Sequence, residues 1–264
     1  ESPYNTGSSV DGIVRVAGSF ANYGCSAEDS PVAIGDAIFF LNNQRQVCVT
    51  SGTTVQVIST PEITKKFARY DTVSDARGKH MMWDGLDWYV ISLPTEDITW
   101  VYNIPQRQWF QWTSGVNGGR WRGNSYAFWN GQHVVGDYTN GEIYTMEEDV
   151  HTEDGDTIIW ERTLPPIYSE NEFLFYSKLE LYIKTGMGLI TGHGIDLEDP
   201  PYAMLDWSDD QGNSWSDARH MNMGKRGVYG QRVIARKLGG ARNRIWRIRS
   251  SEAIVTELYS AFIA

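Results

Sequence analysis

The chain has 264 residues, of which 41% are hydrophobic and 13% aromatic, with 11 Trp, 14 Tyr and a formal net charge of -10. That aromatic load excludes a disordered chain, and no apolar run nears the roughly 18–20 residues that a membrane-spanning helix needs, so no membrane anchor is expected. The acidic balance argues against a protein that coats nucleic acid, and Cys25 and Cys48 are too few for a disulfide scaffold.

Reading from Glu1, the chain shows no Met and no basic end followed by an apolar run, so it is expected to be a portion whose N-terminal part lies upstream. Ser2 to Gly12 reads as loop. Three strand sets then repeat around turn signals: Ala37–Leu41 before Asn42-Asn43, His80–Trp83 before Asp84-Gly85, and Tyr126–Trp129 before Asn130-Gly131. Asp-Gly and Asn-Gly favour tight hairpins because both central residues can take positive φ. Second strands follow at Val47–Thr50, Trp88–Leu93 and His133–Asp137, and third strands at Thr54–Ser59, Thr99–Ile104 and Glu142–Met146. The middle set adds a fourth, Gln108 to Trp112. Four strands recurring about every 40–50 residues is the period of a β-propeller blade, so four-stranded antiparallel blades are expected over residues 30–150. One helix interrupts the pattern at Pro61 to Tyr70, where Ile63, Phe67 and Tyr70 share a face behind a Pro at a starting position.

After Met146 an acidic stretch, Glu147 to Asp156, reads as a solvated linker; it lacks the Asp-x-Asp-x-Asp-Gly pattern of a calcium loop. Longer strands come next, at Glu172–Lys184, Tyr202–Ser208, Arg219–Met223, Gln231–Leu238, Arg244–Ser250 and Ile254–Ile263. Leu179, Leu181 and Ile183 alternate with Lys178, Glu180, Tyr182 and Lys184, as a half-buried strand requires. The Gly pairs at 186–188 and 192–194 read as bends. The fold class is therefore all-β: propeller-like blades of antiparallel strands over residues 1–158, then a sandwich-like antiparallel module over residues 159–264.

Two features carry chemistry. Ser208, Asp210, Gly212, Ser214 and Trp215 fit the Asp-box pattern S-x-D-x-G-x-S-W, a hairpin staple expected at a turn with Trp215 buried beneath it. From Arg219 to Arg249 there are ten Lys and Arg and no Asp or Glu. The acidic remainder of the chain, a neighbouring subunit or phosphate can each take up that charge. Arg232, Arg236, Lys237, Arg242, Arg244, Arg247 and Arg249 are expected to form a protein contact, and reversal of Arg242, Arg244 and Arg247 is expected to leave the fold intact. The five His are scattered and no nucleotide phosphate loop occurs, so no metal, cofactor or catalytic set is expected.

Several stretches in order resemble a known family. They include Ile58 to Ile63, Tyr70 with Asp75-Ala76, Leu93-Pro94-Thr95 leading to Thr99–Tyr102, and Gly136-Asp137-Tyr138 with Gly141, Ile143 and Tyr144. Thr185–Leu189, Asp206–Asp210, Gly224 to Gly230, Arg236–Gly239 and Arg242–Arg247 complete the set. This order resembles the packaged-DNA stabilisation proteins of short-tailed bacteriophages; Lys65-Lys66, Trp83 and Asp206 depart from that pattern. The resemblance implies a non-enzymatic virion protein, a tail hub or nozzle subunit assembled in the bacterial host cytoplasm. It implies a ring, a hexamer, below the portal and its adaptor ring, with attachment surfaces for a tail needle or tailspikes and genomic DNA passing through without specific binding. The competing reading from the Asp-box is a sialidase-like or glycan-binding propeller, which a missing arginine cluster and acid–base pair oppose.

Overall fold

The computed structural model describes residues 3–5, 13–15, 23–52, 54–115, 118–170, 172–187 and 200–264. The chain divides into two compact units, Glu1–Thr113 with Gly119–Met146 and Ser114–Gly118 with Glu147–Ala264.

In the first unit β1 (Pro3–Asn5) pairs antiparallel with β2 (Ile13–Arg15), so part of the segment read as loop is extended backbone. A four-stranded meander follows: β3 (Val32–Ile34), β4 (Ala37–Leu41), β5 (Val47–Ser51) and β6 (Thr54–Val57). The short α1 (Pro61–Arg69) comes next, with Thr60 Oγ1 accepting from the Ile63 N–H and Pro at the first position, the arrangement that satisfies an orphan donor. The second sheet runs β7 (Arg77–Trp83), β8 (Leu86–Leu93), β9 (Ile98–Asn103), β10 (Gln108–Ser114) and a short β11 (Gly119–Arg120). The third has β12 (Gly123–Trp129), β13 (Gln132–Asp137) and β14 (Ile143–Met146).

The expected tight turns sit between β7 and β8, where Asp84 and Gly85 have φ of 52 and 67, and between β12 and β13, where Asn130 and Gly131 have 51 and 79. The Asn42 turn is wider. Asn42 Oδ1 accepts from the Gln44 and Gln46 N–H groups, which closes a five-residue loop. Strand counts vary from the expected four: β3 completes the first set, β11 adds a fifth strand to the second, and the third has three.

The second sheet is buried on both faces, which explains its continuous apolar runs. Tyr89, Ile91, Leu93, Trp100 and Tyr102 pack with Phe39, Leu41, Ile63 and Phe67 on one side. Alternate residues of the same strands, Val90 and Val101, join Met81, Trp121 and Val135 on the other. One strand pair thus supplies two cores by the period-2 rule, as a stacked blade must. Cys25 is exposed, Cys48 is buried, and both are free thiols.

In the second unit the acidic stretch is not all linker. β15 (Thr152–Glu153) and β16 (Asp156–Thr157) form a small hairpin, turned by Asp154 and Gly155 at φ of 51 and 83. One sheet is then built from β17 (Trp160–Thr163), β21 (Tyr202–Ser208), β22 (Arg219–Asn222) and β25 (Asn243–Ser250), in the order β17-β25-β21-β22, with β18 (Ile167–Tyr168) also on β25. The other holds β23 (Val233–Arg236), β20 (Lys178–Ile183) and β26 (Leu258–Ile263), and β19 (Leu174–Phe175) pairs with β24 (Gly240–Ala241). The strand expected over 172–184 therefore breaks at Tyr176-Ser177, because its two parts pair with different partners. Leu179, Leu181 and Ile183 face Ala203, Leu205, Trp246 and Ile248 across a shared core, the layering of a sandwich. Of the two expected bends, Gly186 takes φ 75, while 192–194 lies outside the described residues.

Candidate functional site

The basic strand and the Asp-box, separate features in the sequence, form one cluster in the second unit. β25 alternates strictly. Arg244, Trp246, Ile248 and Ser250 point inward and are buried, while Asn243, Ile245, Arg247 and Arg249 point outward. β21 lies beside it with Asp206 directly opposite Arg247 and Met204 opposite Arg249. Asp206 is 1% exposed and takes a bidentate pair from Arg247 at 2.8 and 2.8 Å and a third bond from Arg249 at 2.5 Å. The hydrogen bonds that Arg247 donates to Asp206 raise the pKa of its guanidinium above the usual range.

Arg244 is the inward exception, a cation on a core face. Its fork grips Asp209 at 2.6 and 2.6 Å, and its remaining donors reach the Leu238 and Gly240 carbonyls. The guanidinium also lies about 5 Å from the ring centres of Tyr176, Trp207 and Trp246. A charge can stay at that depth only with its donors satisfied and a counter-charge in place.

The Asp-box residues make the turn between β21 and β22. Ser208 Oγ donates to Asp210 Oδ1 at 2.7 Å and accepts from the Gly212 N–H at 2.7 Å. Asp210 in turn accepts from the Ser214 N–H at 2.8 Å and the Ser214 hydroxyl at 2.6 Å. The Ser214 hydroxyl, then the Ser214 N–H and the Ser208 hydroxyl, hold the Asp210 carboxyl down at about 2. Trp215 is partly buried, outside the core cluster of the second unit, with the Arg247 guanidinium 3.9 Å from its ring centre. The indole serves as a platform for the cation instead of filling the core.

Arg232 also finds a partner in its own chain, forking onto Glu180 at 2.6 and 2.6 Å across β23 and β20. Of the seven basic residues assigned to a protein contact, Arg232, Arg244, Arg247 and Arg249 are thus engaged by Glu180, Asp209 and Asp206. Arg236, Lys237 and Arg242 are exposed. The expectation that reversing Arg244 and Arg247 spares the fold is corrected by this geometry, since either reversal would set two carboxylates against each other.

Sequence reasoning missed an aromatic surface on the outer face of the β23-β20-β26 sheet. Tyr182, Tyr259 and Phe262 are 63%, 58% and 59% exposed there, with the two Tyr rings 5.3 Å apart. Its signal was present in the outward set Lys178, Glu180 and Tyr182. A second exposed aromatic pair, Phe128 and Trp129, stands at the β12–β13 hairpin tip in the first unit. Among the described residues no three His, Cys, Asp or Glu side chains come together in a way that could hold a metal ion.

Comparison with known proteins places the two halves. The family model described as the bacteriophage P22 Gp10 beta-propeller matches residues 1–151, and the one described as the bacteriophage P22 Gp10 beta-sandwich matches residues 159–264. No curated protein matches the chain. A solved structure titled glycoside hydrolase is 8% identical, covers 86% of this chain and 69% of its own, and superposes with a TM-score of 0.24, too low to carry an argument. Matched by both models in order, the chain belongs to the bacteriophage P22 Gp10 phage-stabilisation family of virion structural proteins, with beta-propeller sequence followed by a β-sandwich.

Proposed function

We propose that this chain is a ring-forming subunit of a short-tailed phage tail hub or nozzle, which extends the DNA channel below the portal and adaptor and helps to retain the packaged genome. The observation that carries the reading is the ordered match of both family models along the chain. The physical chemistry supports it. On β25 the three arginines, Arg244, Arg247 and Arg249, pair with Asp209 and Asp206 in the same chain, which lowers the charge that strand offers to phosphate. Exposed aromatics at Tyr182, Tyr259 and Phe262, on a sheet whose β23 also carries the exposed Arg236, are the composition of a protein contact. In a closed ring such a face meets a different face of the next copy, head to tail. A hexamer, assembled in the host cytoplasm and attached to an adaptor above and a needle or spikes below, satisfies these conditions.

Deleting the gene for this chain in its phage tests the reading. Heads should fill with DNA and then lose it, and supplying the protein to freshly filled heads should restore retention. Heads that keep their DNA without the protein would contradict the proposal.

A further inference from the structure

Three cations of the first unit gather where the second and third sheets meet. Arg77 and Lys79 lie two residues apart on β7 and so project from one face of the strand. Met81, next on that face, is buried with Trp121 and Val135. Lys79 Nζ donates to the Gly123 carbonyl at 2.5 Å and lies 5.5 Å from the Trp121 ring centre. Arg77 Nη1 is 3.5 Å from Asn124 Oδ1, one residue further along β12. Arg120, half-buried on β11, lies over the Tyr138 ring with its guanidinium carbon 3.5 Å from the ring centre. The backbone at Gly123 is fixed hard against Trp121, where a Cβ would come within 2.3 Å of the indole, so the carbonyl holding Lys79 has little room to shift.

Three carboxylates lie nearby. Asp137 is buried and bonded to Arg122 at 2.6 Å and to Thr139. Asp97 accepts from the Arg120 backbone N–H. Asp29 reaches only Arg77, at 3.9 Å, and is 72% exposed. Among the described residues no carboxylate comes within 4.0 Å of Lys79 Nζ or the Arg120 guanidinium. Burial first, then the charges of Arg120 and Arg77, pull the Lys79 ammonium down to about 8. The fold therefore holds Arg77, Lys79 and Arg120 near one another with Asp29 as the only carboxylate among the described residues within 4.0 Å of any of the three charged groups, an arrangement that an added anion relieves.

We propose that Arg77, Lys79 and Arg120 form a binding site for a phosphate-type oxyanion at the seam between the second and third sheets. The chemistry fits the residues. Two planar forks and an ammonium with donors left beyond its bond to the Gly123 carbonyl can each meet a different oxygen of a tetrahedral anion, and Trp121 and Tyr138 flank the two half-buried cations. The site is independent of ring assembly and requires only the folded first unit.

The test is the acylation rate of the Lys79 amine in the whole chain, read by peptide mass spectrometry at pH 8.5, with the exposed Lys65 as internal control. Saturating inorganic phosphate should slow Lys79 about threefold, the effect at this pH of a rise of about one unit in its pKa from about 8, and leave Lys65 unchanged. Sodium chloride at matched ionic strength should do neither. Arg120→Gln, checked by near-ultraviolet circular dichroism for an intact fold, should abolish the phosphate effect. A short DNA duplex separates the sources: protection at far lower phosphate concentration assigns the oxyanion to a nucleic-acid backbone, and protection by inorganic phosphate alone assigns it to a free anion. Equal protection by chloride, no protection by phosphate, or an undiminished effect in a folded Arg120→Gln variant would overturn the site.

Discussion

Asp206 sits between Arg247 and Arg249 at the centre of the outer face of the sandwich, and both arginines depend on it. Asp206→Asn removes the counter-charge and leaves two guanidinium groups partly buried and unneutralised. Breaking such a pair costs about 3 kcal/mol, the lower end for buried pairs because the arginines keep some access to water. Urea unfolding of the isolated chain at pH 7 measures it. Trp215→Ala should cost less, about 1–2 kcal/mol, since the half-buried ring offers cation–π contact and modest burial instead of core volume. Asp210 supplies a pH signature. Its folded carboxyl is held at about 2, below the roughly 3.9 of an unfolded Asp, so its contribution is complete above about pH 4 and fades as pH falls through 2. Asp210→Asn should remove that part of the pH dependence when stability is measured between pH 5 and 2. The Asp-box pattern was legible because all its bonds are local. The counter-ions were not: Asp206 meets Arg247 through strand register, which no spacing along the chain reveals.

At the scale of elements, turns and the helix were legible because their determinants are local. Asn130 and Gly131 take the two positive φ values that an Asn-Gly pair foretells. Gly131→Val should destabilise the first unit by about 1–2 kcal/mol, the cost of a left-handed conformation for an L-residue, read from its thermal midpoint. Thr60→Ala should remove the helix cap and cost about 1 kcal/mol in the same assay. Other features depended on non-local pairing. The break at Tyr176-Ser177 arises because β19 pairs with β24 while β20 pairs with β23 and β26, yet the sequence there reads as one apolar run. The hairpin at 152–157 was hidden by its charge, although Asp154-Gly155 was the same turn signal recognised at Asp84-Gly85.

For the whole molecule, the repeat of strand sets and the ordered motifs pointed to propeller and sandwich, and the matched family models give the same sequence of parts. How copies meet was not legible, since a contact face is defined by what remains exposed after folding. Arg236→Glu with Lys237→Glu should leave the monomer folded, because both side chains are exposed, and should weaken self-association in sedimentation experiments. With a net charge of -10, the chain should also show no sub-micromolar duplex binding at physiological salt, as measured by fluorescence anisotropy. Position in the virion can be seen most directly by electron cryo-microscopy of the intact tail. Copies of this chain should form a closed ring around an axial channel below the portal, with the Tyr182–Phe262 face against a neighbouring protein. A tail whose channel wall at that level is built without this chain would contradict that placement.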